Sequence, residues 1–100
     1  MTRIRSPLEA QVAAESLGYA GLRLRRALDN LRNYDEGIVS KGAPTPAVRA
    51  ALIAEAGEAF WRYVVQRELL GVRDPEYVAK EYGVPAEVWQ SMGPKKSDAV

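Results

Sequence analysis

Between Ala10 and Tyr34 apolar residues return at alternating spacings of three and four, with Ala10, Leu17, Leu24 and Leu31 at position a of a heptad and Ala13, Ala20, Ala27 and Tyr34 at d. Ala14, Gly21 and Leu28 stand beside this seam. The period predicts an amphipathic helix, and its small residues predict a partner helix nearer than the usual ~8–10 Å. Ser6, Pro7 and Glu9 supply a capping serine, a proline at the first helical position and the glutamate of a capping box. The helix is therefore expected over 7–34, after a short arm at 1–6. Gly18 and Gly21 weaken it by only about 1 kcal/mol each and are expected to mark close packing.

From Asp35 to Pro46 the period vanishes among Gly37, Gly42, Pro44 and Pro46, which predicts an exposed connection pinned by Ile38 and Val39. Thr45 and Pro46 repeat the cap-then-proline start, so a second helix is expected over 46–70, with Gly71 as its left-handed end. Its apolar arc is wide. Ile53, Gly57, Phe60 and Val64 form the centre, Leu52, Ala56, Ala59 and Tyr63 one flank, and Ala50, Ala54, Trp61 and Val65 the other. Two shorter helices are expected over 75–82, ending at Gly83, and over 85–92, before a polar tail at 94–100.

The pattern thus predicts one all-α domain over 1–100, a long antiparallel two-helix hairpin with two short C-terminal helices. Leu8, Val12, Tyr19 and Leu22 lie on the side of the first helix opposite its seam. They are expected to be covered by the short helices folding back and by a second subunit, which completes a helical bundle. A homodimer is the favoured assembly.

Composition narrows the chemistry. The 100 residues are 47% hydrophobic and 27% charged with a net charge of +1, as in a folded globular domain. Cysteine and histidine are both absent, which removes disulfides, thiolate nucleophiles, the commonest general base and the commonest metal ligand. Ser16, Ser40, Ser91 and Ser97 lack a histidine to activate them, so no catalytic residue, metal or cofactor is expected and the protein reads as non-enzymatic. No apolar run of signal-peptide length follows Arg3 and Arg5, and none reaches a membrane span, so a cytoplasmic protein without a membrane role is expected.

Three patterns could carry function. Val78, Ala79, Tyr82, Gly83 and Val84 resemble the first half of a helix-turn-helix, the basis for a small DNA-binding regulator acting through residues 75–92. Its exposed reading positions would be Pro85, Ala86, Glu87, Gln90 and Ser91, which offer no arginine or lysine, so nucleic acid is disfavoured as a partner. Arg23, Arg25, Arg26 and Arg32 alternate with Asp29 as ordinary surface pairs do, and Glu58 with Arg62 likewise. Arg67 falls within the apolar arc of the second helix. It is expected either to pair with a carboxylate or, beside Trp61 and Tyr63, to form an anion-binding module.

Glu58-Ala59-Phe60-Trp61, Val65-Gln66-Arg67-Glu68, Gly71-Val72-Arg73-Asp74 and Tyr82-Gly83-Val84-Pro85, together with Leu17 to Leu31, resemble a family of short, uncharacterised bacterial proteins of about this length. The resemblance implies an all-helical fold and transfers no catalytic residue. Function is left unknown, with self-association or protein–protein interaction as the leading reading.

Overall fold

A computed structural model describes residues 7–38 and 45–93, which form α1 (Pro7–Asp35), α2 (Pro46–Leu69), α3 (Pro75–Tyr82) and α4 (Ala86–Gln90). No strand occurs among the described residues. The expectations for the Ser6 cap, the arm at 1–6, Val39, the Ser40–Gly42 segment and the tail at 94–100 lie outside these residues. So do the side chains of Glu9, Ala10, Val12, Ala13 and Ala14.

Along α1 the heptad seam is the packed face. Ala20, Leu24, Leu28 and Leu31 are buried and Leu17 and Ala27 partly so, all against α2 residues Ala56, Ala59, Tyr63 and their neighbours. Each fully buried leucine removes enough apolar surface to be worth about 1.5–3 kcal/mol, so this seam supplies much of the hairpin's stability. Gly21 brings the helices close. A Cβ there would stand 2.8 Å from the Tyr82 hydroxyl and 3.2 Å from Tyr63 Cε1, whereas one at Gly18 would meet nothing within 4 Å. The expectation of close packing therefore holds at Gly21 and fails at Gly18, which faces open space.

Thr45 caps α2 as its sequence predicts, its hydroxyl accepting from the Val48 N–H at 3.2 Å. The Tyr34 hydroxyl crosses to this cap, accepting from the Thr45 N–H at 2.7 Å and donating to the Thr45 carbonyl at 3.0 Å. It ties the end of α1 to the start of α2. Ile38, expected to pin the connection, is instead 64% exposed, because Tyr34 and Thr45 close the hairpin before it.

The wide arc of α2 is shared between two neighbours. One flank meets α1, and the centre meets α4, where Phe60 and Trp89 pack with ring centroids 5.2 Å apart. Gly57 is required there, since a Cβ would lie 2.8 Å from the backbone carbonyl carbon of Ser91. Trp61 and Val65, on the second flank, stay partly exposed. Left-handed Gly71 (φ 90°) follows α2, and left-handed Gly83 (φ 66°) ends α3 while Val84 N–H bonds back to the Ala79 carbonyl at 2.8 Å. The fourth helix is shorter than expected, Ala86–Gln90 instead of 85–92, because Pro85 is its N-cap and Ser91 its C-cap.

Folding of α3 and α4 does not cover the outer side of α1, contrary to expectation. α4 lies on α2, and α3 reaches α1 through Tyr82, so Leu8, Tyr19 and Leu22 remain 71%, 64% and 47% exposed. The reason is chain length: five residues separate the end of α2 from α3 and three separate α3 from α4, helices of eight and five residues, too short a return to wrap the far side of the hairpin.

Candidate interaction surface

The outer face of α1 is built by the same helical period as the seam, half a turn away. With the side of α2 bearing Ala56, Ala59 and Tyr63 occupied by α1, the residues opposite on α1 have no helix above them. Leu8, Glu15, Tyr19, Leu22 and Arg26 follow one another along this exposed stripe. Beside it runs a groove of about 510 Å³ between α1 and α2, in which Tyr19, Trp61 and Val65 supply apolar surface and Glu15, Arg23 and Arg62 the charged rim. Large apolar side chains left together on one face cost solvation that a partner could recover.

Arg67 does not join that groove. Its guanidinium grips the Asp74 carboxylate through two bonds of 3.0 and 2.9 Å and lies 5.8 Å from the Tyr63 ring centroid. The hydrogen bond to Asp74 is the main cause of the upward push on Arg67's pKa, so the charge is fixed. Asp74 in turn makes no side-chain cap to α3, although it occupies the capping position, because Arg67 holds its oxygens. Of the three residues considered for an anion site, Tyr63 and Arg67 are brought together, while Trp61 points to the Tyr19 groove two residues and about 200° around the helix away.

Tyr63 continues into a second aromatic contact, edge-on to Tyr82 at 5.3 Å, and Arg25 stacks 4.8 Å from the Tyr82 centroid. Burial, reinforced by a hydrogen bond to Tyr63, pushes the Tyr82 phenol up to about 12. This cluster locks α1, α2 and α3 together and leaves no room beside Gly21. Arg25 thus goes to Tyr82, and Asp29 pairs with Arg32 at 2.5 Å.

The helix-turn-helix residues serve packing. Val78 and Val88 are fully inside, with Tyr82, Val84 and Trp89 partly so. Glu87, at the start of the would-be reading helix, is held by Arg49 through bonds of 2.6 and 2.9 Å. The same guanidinium binds Asp35 at 2.8 and 3.1 Å. This three-way clamp joins the end of α1 to the starts of α2 and α4, and its hydrogen bonds hold both carboxyls below their ordinary values. Sequence reading missed it, since its partners lie 14 and 38 residues from Arg49 and share no period with it.

No group of acidic side chains arranged for a metal occurs among the described residues, and no described helix is long and apolar enough to cross a membrane. Glu58 meets Arg62 at 3.4 Å, the surface pair that their spacing predicts.

Comparison with curated proteins and with solved structures gives no match. The model of a family of unknown function matches residues 8–99, nearly the whole of the α1-to-α4 unit described above, and the chain belongs to that family, DUF6665.

Proposed function

We propose that this protein is a non-enzymatic helical-bundle protein that acts through self-association, with the outer face of α1 as the contact. One observation carries the reading: Leu8, Tyr19 and Leu22 stand 71%, 64% and 47% exposed on the side of α1 opposite its packed seam. Val12 belongs to the same stripe by sequence position. A second copy would bury these groups and turn two hairpins into one helical bundle, the commonest solution for a soluble homodimer being a twofold contact of one patch with itself.

Light scattering after size exclusion tests this. The expected mass is twice the 11.0 kDa of the chain, falling to one chain in Tyr19→Glu/Leu22→Glu with helicity unchanged. A monomer at the highest concentration the protein tolerates overturns the proposal.

A further inference from the structure

We infer that two copies pair antiparallel along α1, about a twofold between Ala20 and Gly21, with Tyr19 against the partner subunit's Leu22 and Glu15 against the partner subunit's Arg26. This rests on the self-association proposed above and adds orientation, register and the residues that set them.

The outer stripe of α1 is itself a heptad seam. Positions 8, 12, 15, 19, 22 and 26 alternate in spacing between four and three, the repeat that lets two helices interlock side by side. Glu15, Tyr19, Leu22 and Arg26 are all exposed and lie in sequence along it. In an antiparallel pair, residues whose numbers add to a constant stand level. The register that sets Tyr19 level with the partner subunit's Leu22 also sets Glu15 level with the partner subunit's Arg26, since both pairs sum to the same value. Twofold symmetry repeats each contact, giving two apolar layers at the centre and an ion pair about 8 Å to either side.

Charge selects this arrangement among those the apolar residues allow. Parallel chains would stack Glu15 on Glu15 and Arg26 on Arg26. Sliding the antiparallel pair by one heptad in one direction sets Glu15 against the partner subunit's Tyr19 and Arg26 against the partner subunit's Leu8. Sliding it in the other sets Leu22 against the partner subunit's Arg26 and Tyr19 against the partner subunit's Asp29. Each of these places a charge against an uncharged side chain or a like charge, or an aromatic against a carboxylate, in or next to the centre of the contact, whereas the inferred register keeps its two central layers apolar and pairs the charges of the next two, leaving the mismatch of position 12 with the partner subunit's Asp29 to the periphery.

Sedimentation of the full chain and of Glu15→Arg, Arg26→Glu and the double exchange Glu15→Arg/Arg26→Glu tests the register. Each single reversal turns two attractive contacts into two repulsive ones and should raise the dimer dissociation constant by about tenfold, while the double exchange should return it to within about threefold of the parent. In a parallel dimer the single reversals leave like facing like and change little, so unaltered association overturns the inferred orientation while self-association stands. Single variants that weaken the dimer with no recovery in the double exchange overturn the pairing. A parent chain that stays monomeric overturns the self-association itself. All four proteins should share one circular dichroism spectrum, because both positions are exposed.

Discussion

From Ala20 to Tyr34, α1 is held by buried Leu24, Leu28 and Leu31, by Tyr82 over Gly21, and by Tyr34 and Asp35 reaching the start of α2. From Pro7 to Tyr19 the same helix has, among its described side chains, only Leu17 partly buried. Both halves carry the same seven-residue period, so the difference comes from where the neighbour ends. Gly21 faces Tyr63, which places Leu69, the last residue of α2, level with about residue 15 of α1. The first turns of α1 extend beyond it. A period in a sequence specifies that a face wants cover, and the length of the next helix decides whether the cover comes from the same chain.

The sharpest way to break this contrast is a leucine truncation in each half. Leu24→Ala, at a position with no exposure, should cost about 2–5 kcal/mol, against no more than about 0.5 kcal/mol for Leu8→Ala under conditions that keep the chain monomeric. Urea denaturation checks both, and equal losses would mean that the first turns of α1 are packed after all.

A smaller effect of opposite signs is expected from two helical glycines. Gly57→Ala drives a methyl into the Ser91 backbone and should lose about 1–3 kcal/mol by displacing α4. Gly18→Ala, with open space around it, should gain up to about 1 kcal/mol from helix propensity alone. Thermal melts of the two variants moving in the same direction would contradict the packing described for one of them.

The smallest effect lies in acid. Hydrogen bonds from Arg49 depress the carboxyls of Asp35 and Glu87 below 3.8 and 4.5, their ordinary values. Stability from the clamp is therefore complete above those values and is lost as pH falls through the lower folded ones. Arg49→Met should flatten the acid limb of a stability profile recorded between about pH 2 and 6, through a small loss of stability near neutrality and none at the acid end. An acid limb that survives the substitution would place its origin elsewhere.

Much of the architecture was legible because it is local. The α2 cap at Thr45, the left-handed glycines at 71 and 83, and the buried register of Leu24 and Leu31 follow from neighbours within one or two turns. Arg67 announced a charged partner by its place in an apolar arc, and Asp74, seven residues on, supplies it. The Arg49 clamp, the Tyr34 tie and the need for glycine at position 57 were not legible, since each depends on where separate segments arrive in space. The outer face of α1 was visible as a stripe, and its exposure became evident only once α3 and α4 were seen to settle on α2 and beside Gly21.

The Tyr34 hydroxyl on the Thr45 backbone has a consequence for chain entropy. Because that tie joins the last turn of α1 directly to the cap of α2, it closes a loop in the chain, and the entropy lost on such closure grows by only about 0.6 kcal/mol for each doubling of loop length. Residues inserted between α1 and α2 should therefore add little to that cost for as long as the Tyr34 tie is kept.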